Sequence, residues 1–97
     1  MRKLTNEAVN AFYSRKNFKS GNTLVIVTDK ETILSLHGNK IAFLNYHTNV
    51  LSVTNCGWKS NTTKESLNAL IGVSIQQKNF VWFLNGKQWN GNLIEIL

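Results

Sequence analysis

Few side chains of this sequence could carry acid–base, nucleophilic or metal chemistry. It holds five acids, two histidines and one cysteine, and catalysis needs such groups gathered in one place. Asp29 and Glu31 are close in sequence but lie in a predicted hairpin turn, where a solvated pair of carboxylates is the ordinary situation. A sheet could bring His37 near His47, yet zinc would need further ligands and only Cys56 offers a soft one.

The sequence also contains no pattern that indicates an activated nucleophile or a phosphate-binding loop. Nothing distinguishes Cys56 as an activated thiol rather than a small buried residue, and no glycine-rich phosphate loop occurs. We therefore predict no catalytic residue, no bound metal and no cofactor. Nucleotide cleavage without a metal stays open as a residual enzyme hypothesis.

Positive charge is what the sequence has in surplus. Eleven Lys and Arg oppose five Asp and Glu, a formal net charge of +6, and residues 1–19 hold five of the cations and only one acid. Such a field favours anionic partners, and the attraction weakens as salt rises. A net charge of this size is also ordinary for the solubility of a small domain, so both interpretations stay open.

The first stretch that could recognise a ligand is the end of a predicted N-terminal helix. Arg15, Lys16 and Lys19 are interleaved there with Tyr13 and Phe18. These side chains could hold phosphates and stack a base. Alternatively, the aromatics belong to the core and the cations complement the helix dipole.

The second stretch is residues 58–64, where lysines, hydroxyls and an amide meet the predicted start of another helix. Backbone N–H groups and the helix dipole attract anions at such a place. A capping box, with Thr62 as cap and Glu65 reaching back, would explain those two residues but not the Trp-Lys pair before them. The predicted ligand-binding residues are Trp58, Lys59, Ser60, Thr63 and Lys64, with Arg15, Lys16 and Lys19 adding steering charge.

Aromatic residues are dense near the C-terminus, where Trp89 follows a predicted strand over residues 80–84. Alternation would place Phe80 and Trp82 on one face of that strand and Phe83 on the other. One face could then be exposed and suit a protein interface, including a dimer contact. The alternative is a strand buried on both sides.

The predicted helices and strands that position these residues form one α+β domain spanning residues 1–97. An amphipathic helix with Thr5 as its cap would run to a break at residues 20–22. A four-stranded antiparallel meander follows, with Gly38-Asn39 as a tight turn. Its strands are predicted near residues 24–27, 32–36, 41–43 and 50–54.

The second half is predicted to begin with a short helix ending at Gly72. Strands near residues 73–77 and 80–84 would join at Lys78-Asn79, and Asn85-Gly86 is the strongest hairpin signal in the chain. A short strand near residues 93–97 would end the domain.

Nothing in the sequence indicates a membrane or secreted protein. The longest apolar run, residues 80–84, is far shorter than the roughly 20 residues that span a bilayer. The N-terminus lacks the apolar segment of a signal peptide, and a lone cysteine cannot form an internal disulfide. We therefore expect a cytoplasmic protein with no membrane partner.

Four segments together resemble small bacteriophage accessory (host-takeover) proteins: residues 10–23, 36–42, 57–70 and 82–87 with Trp89. The resemblance covers most of the chain but brings no activity, ligand or catalytic residue with it. It implies a phage source, and therefore the cytosol of the host cell as the location.

The leading functional hypothesis is a non-enzymatic phage protein that counters host defence by sequestering an anionic nucleotide. One alternative is a protein-interaction inhibitor of a host enzyme. Another is a nucleic-acid-binding protein that uses the basic N-terminal helix. Because a small domain has little room for a large pocket, a homo-oligomer could share the site between subunits.

Overall fold

The first element of the molecule is an amphipathic helix, α1 (Lys3–Tyr13). The computed structural model describes residues 3–57 and 59–96. Within them the chain continues through β1 (Phe18–Ser20), β2 (Thr23–Val27), β3 (Glu31–Leu36), β4 (Asn39–Asn45), β5 (Leu51–Val53), α2 (Asn61–Asn68), β6 (Ile75–Lys78), β7 (Val81–Leu84), β8 (Lys87–Trp89) and β9 (Ile94–Ile96). An N-terminal helix followed by a strand meander confirms the predicted α+β class.

The large sheet contains the predicted meander, β2 to β5, extended by one strand at each edge. Its order is β1-β2-β3-β4-β5-β9, and every neighbouring pair is antiparallel. Strand β1 lies where the sequence pattern predicts the end of the first helix. The helix instead stops at Tyr13, and Phe18 packs against the core from the first strand.

One face of the large sheet packs into the main core, and the other face does not belong to it. Val25, Leu34, Ala42 and Val53 lie opposite one another across four strands and belong to the main core. The other face, called here the outer face, carries the row Ile26, Ile33 and Phe43. Residues that lie directly opposite each other in antiparallel strands point to the same side of the sheet. The strand registers therefore show which side chains share a face.

The small sheet, β6-β7-β8, closes the core together with the helices. Trp82 and Trp89 are opposite each other, their rings 6.3 Å apart, and both are buried in the main core with Phe12 and Leu67. Val81 and Phe83 alternate with Trp82 and are only partly buried. The strand is therefore buried on one side rather than on both.

Both helices begin and end differently from the sequence-based expectation. Thr5 does not cap α1: it lies inside the helix, is buried, and donates a hydrogen bond to Glu65 Oε1 at 3.3 Å. The cap of α2 is Ser60 rather than Thr62. This helix ends at Asn68, so Gly72 lies in the turn after it. No helix in the described part of the chain is long and apolar enough to cross a membrane.

Two hairpin turns are shifted by one residue from their predicted places. The turn between β3 and β4 is His37-Gly38, with φ of +52° and +81°, while Asn39 already pairs with Leu36. The turn between β6 and β7 is formed by residues 79 and 80, since Lys78 pairs with Val81. In both hairpins the pairing of the two strands fixes which two residues form the turn, and these two residues adopt positive φ. The predicted Asn85-Gly86 turn between β7 and β8 is confirmed.

Candidate anion-binding site

A concavity of about 300 Å³ opens where two hairpin turns meet at one end of the large sheet. The β1–β2 and β3–β4 turns lie side by side because Thr23 pairs with Leu36, and His37 N–H donates to the Asn22 carbonyl at 2.8 Å. The lining residues are Lys19, Gly21, Asn22, Leu24, Ser35, His37 and Gly38. We call this concavity the hairpin pocket.

Three residues of one row on the outer face, Lys19, Leu24 and Ser35, line the hairpin pocket. Lys19 is opposite Leu24, Leu24 is opposite Ser35, and Ser35 is opposite Lys40. Lys40 joins this row because the register shifts after Leu34, so that the next pair leaves one residue of β4 unmatched. The row therefore has a lysine at each end, Lys19 and Lys40, with Leu24 and Ser35 between them.

The hairpin pocket is positively charged on one side and has no opposing acid. Lys19 is exposed, and none of the described residues that line the pocket is an aspartate or glutamate. Backbone turns, an asparagine and a serine supply polar groups around the ammonium. The pocket can therefore accept an anion. Leu24 adds an apolar surface for the uncharged part of such a ligand.

The three cations that were predicted to act together after α1 lie at different places in the structure. Lys19 lies at the hairpin pocket, whereas the Arg15 guanidinium stacks 4.0 Å from the centroid of the Tyr46 ring. Tyr46 N–H bonds to the Lys30 carbonyl, which places that ring at the opposite end of the sheet. Lys16 is exposed and donates its backbone N–H to Ala11. These cations do not form one patch.

The predicted residues at the start of α2 form a helix cap. Thr63 N–H donates to Ser60 Oγ at 3.1 Å, and the two hydroxyl oxygens are 3.0 Å apart. Lys64 Nζ donates to Gln77 Oε1 at 3.3 Å, and Lys59 is exposed. The hydroxyls are engaged within the protein, so the lysines are the groups most available to an anion. The fifth predicted residue, Trp58, lies outside the described residues.

The start of α2 and the hairpin pocket are on different sides of the large sheet. Leu67 of α2 belongs to the main core beside Val25 and Leu34, whereas Leu24 and Ser35 point to the outer face. The predicted ligand-binding residues therefore occupy separate places. Of the residues that line the hairpin pocket, the sequence predicts a ligand-binding role only for Lys19. His37 enters the sequence analysis as a possible zinc ligand and Gly38 as a turn residue. The registers of β1 with β2 and of β2 with β3 are needed to find the others.

A family model described as Kyanoviridae Gp96 protein matches residues 1–94. The chain belongs to this phage protein family. The expectation of a phage protein is thereby confirmed. No curated protein and no solved structure gives a significant match.

The described acids, histidines and cysteine of this Gp96 family member are spread over several elements of the fold. The expectation that His37 and His47 could meet is wrong, because they occupy the turns at opposite ends of the seven-residue strand β4. Among the described residues, no three His, Cys, Asp or Glu side chains are grouped to hold a metal ion. Asp29 is exposed in the turn between β2 and β3, as predicted.

Cys56 of this Gp96 family member is exposed rather than buried. Its thiol donates to the Lys40 carbonyl at 3.1 Å, and the backbone has a φ of +54°. The cysteine lies in the loop after β5, where the chain leaves the sheet toward α2. The bond to the Lys40 carbonyl gives the thiol a structural role in the loop.

Proposed function

We propose that this phage protein counters host defence by binding and sequestering an anionic nucleotide-type ligand, which it releases unchanged. The observation that carries the proposal is the hairpin pocket, in which Lys19 stands beside polar turn groups with no carboxylate among the described lining residues. Its volume of about 300 Å³ is at the lower end of the range for small-molecule sites. The net charge of +6 would add long-range attraction for an anion.

The lining residues suggest a division of roles toward a nucleotide. Lys19 would contact a phosphate as a point charge, and charge-assisted hydrogen bonds of this kind are the stronger ones. Asn22 and Ser35 would accept or donate hydrogen bonds, while Leu24 would contact the apolar face of a base or ribose. We expect binding without conversion because the described residues that line this pocket include His37 but no carboxylate and no thiol.

Lys59 and Lys64 at the start of α2 are the second location we propose for the anion. The support is their position before and within the first turn of a helix, where the helix dipole favours negative charge. The engaged hydroxyls of Ser60 and Thr63 rank this location below the hairpin pocket. Arg15 and Lys16 would contribute only to the long-range field.

The test is isothermal titration calorimetry with AMP, ATP and a cyclic dinucleotide, followed by chromatography of the recovered ligand. We expect saturable binding, intact ligand, and a loss of roughly 10-fold in affinity for Lys19→Ala, from about 1.5 kcal/mol for a charged hydrogen bond. Lys16→Ala is the matched control because it removes the same charge outside the pocket. Native mass spectrometry of the same samples reports ligand stoichiometry and subunit number.

Each result distinguishes a different hypothesis. Equal losses for Lys19→Ala and Lys16→Ala would reject the hairpin pocket and leave only general charge attraction. A loss confined to Lys59→Ala and Lys64→Ala would move the site to α2. Altered product would indicate an enzyme, and an absence of nucleotide binding with capture of a host enzyme would support the inhibitor hypothesis.

A further inference from the structure

The small sheet has an outer face that the core does not use. On β7, Trp82 and Leu84 point into the core, so Val81 and Phe83 point away from it. The registers place Lys78 opposite Val81, and Gln76 and Gln88 on either side of Phe83. This face, which we call the small-sheet face, thus carries an aromatic ring flanked by two amides, with an ammonium group further along.

Phe80, at the tip of the β6–β7 hairpin, is exposed and conformationally unfavourable. Its side chain is 87% exposed, and its φ is +67°. Positive φ is strained for a bulky residue, whereas glycine adopts it freely. Because the ring gains almost no burial, the fold alone does not explain a phenylalanine at this position. Strain of this kind is found where a side chain serves function.

Among the described residues, the charge that the strand registers place on the small-sheet face is positive. Residues 66–93 contain no aspartate or glutamate. Lys78 lies on the face itself. Lys64 bonds to Gln77, which is opposite Trp82 and therefore points to the other side of the small sheet. Lysine is depleted in the centres of protein–protein interfaces, but it is the usual partner of phosphates. This composition therefore favours a polyanion over a protein partner.

We propose that the small-sheet face binds single-stranded nucleic acid. Phe83 and Phe80 would stack bases, since exposed aromatic rings on a sheet or its loops accept any base. Lys78 would contact the phosphate backbone, and Gln76 and Gln88 would hydrogen-bond base edges. This inference goes beyond the free nucleotide of the hairpin pocket, because it concerns a polymer and a different sheet.

The test uses fluorescence anisotropy with fluorescein-labelled single-stranded dT12 and rU12 and the full chain. Phe80→Gly is the decisive variant, because it removes the ring and relieves the strained φ together. We expect it to unfold at the same or a higher urea concentration, yet to bind both oligonucleotides at least 5-fold more weakly, the lower limit for loss of one base stack. Ile71→Gly is the control, because it removes another exposed apolar side chain, 75% exposed, from a different surface.

Charge variants test the phosphate contacts separately. Lys78→Ala should lower the slope of log affinity against log salt by about 0.7, the value for one phosphate contact on a single strand. Lys16→Ala, with the same net charge, should leave the slope unchanged. Lys19→Ala should not affect oligonucleotide binding, which separates failure of this proposal from failure of the hairpin pocket.

Three outcomes would overturn the inference. Undiminished oligonucleotide binding by Phe80→Gly would exclude stacking at the hairpin tip, and equal effects of Lys78→Ala and Lys16→Ala would exclude a local phosphate contact. Absence of oligonucleotide binding by the wild-type chain would reject the proposal outright. In that last case, loss of a pulled-down host protein on Phe80→Gly would identify the face as a protein interface instead.

Discussion

The side-chain amide of Asn55 lies directly against the Cα of Gly91, so that a Cβ on Gly91 would overlap it. The same glycine carbonyl accepts hydrogen bonds from the Asn55 N–H at 3.1 Å and from the Thr54 hydroxyl at 2.6 Å. Asn55 is itself buried and donates no hydrogen bond from its Nδ2 to a described partner. These contacts join the loop after β5 to the segment that leads into β9.

Gly91→Ala should be strongly destabilising. The added methyl would overlap the Asn55 amide, and the φ of +89° adds backbone strain. Together, overpacking and strain should lower the free energy of unfolding by about 2–5 kcal/mol. Urea unfolding followed by tryptophan fluorescence measures the change. Gly21→Ala is the control, because its φ is +57° with no heavy atom near the new Cβ, and it should cost only about 1–2 kcal/mol. Equal losses would show that Asn55 moves aside without cost.

Ser60→Ala should remove the cap of α2. Its hydroxyl accepts from the Thr63 N–H at 3.1 Å, and loss of such a cap costs about 1 kcal/mol. Thr62→Ala, at the position that the sequence pattern indicated as the cap, should change the free energy of unfolding by less than about 0.5 kcal/mol. The two variants are compared by thermal unfolding. A larger loss for Thr62→Ala would return the cap to that residue.

Asn68→Ala should loosen the connection between α2 and β6. The Asn68 amide accepts from the Ile75 N–H at 2.6 Å and donates to the Ile75 carbonyl at 3.2 Å. Loss of both hydrogen bonds should cost about 2 kcal/mol, at roughly 1 kcal/mol for each. Asn92→Ala serves as the control, since no hydrogen bond is assigned to that side chain. Chemical denaturation of both variants measures the difference, and equal stability of the two would show that the Asn68 bonds make no net contribution.

Tyr13 should make the protein less stable in alkali. Burial raises its pKa above the ordinary value of 10.0, and this outweighs the Ile71 N–H bond, which lowers it. Below pH 10 both the folded and the unfolded chain keep the phenolic proton. Above it the unfolded chain releases the proton first, so the free energy of unfolding falls until Tyr13 ionises in the folded state.

Tyr13→Phe provides the measurement of this effect. The variant loses the acceptor that Ile71 N–H contacts at 2.8 Å, so it should be less stable than the wild type at neutral pH by about 1 kcal/mol. That difference should shrink as pH rises above about 10, because only the wild type has the ionisable phenol. A difference that stays constant with pH would contradict the raised pKa.

Local patterns in the sequence were enough for the kind and order of most elements. Strands β2 to β5 follow from alternation and β-branched residues, and the Asn85-Gly86 turn follows from the demand for positive φ at both of its residues. These features depend on neighbours a few positions apart, so a single sequence contains them. The phage resemblance likewise agreed with the family to which the chain belongs.

The candidate sites were predictable only in part. Lys19 was named from its charge, but its partners at the hairpin pocket come from two other strands and two turns. Ser60 and Thr63 were named as ligand groups, and the structure shows their hydroxyls in contact with each other. Whether a polar side chain faces a ligand or a neighbour depends on atoms that are distant in the sequence.

The sequence by itself determined the α+β class, most of the helix and strand segments, and a surplus of positive charge. The tertiary structure alone decided that β1 and β9 become the edges of one sheet, that Arg15 stacks on Tyr46, and that Phe80 stays in solvent. The physical reason is that propensity and periodicity act along the chain, whereas register, burial and charge grouping arise from contacts between segments far apart in it.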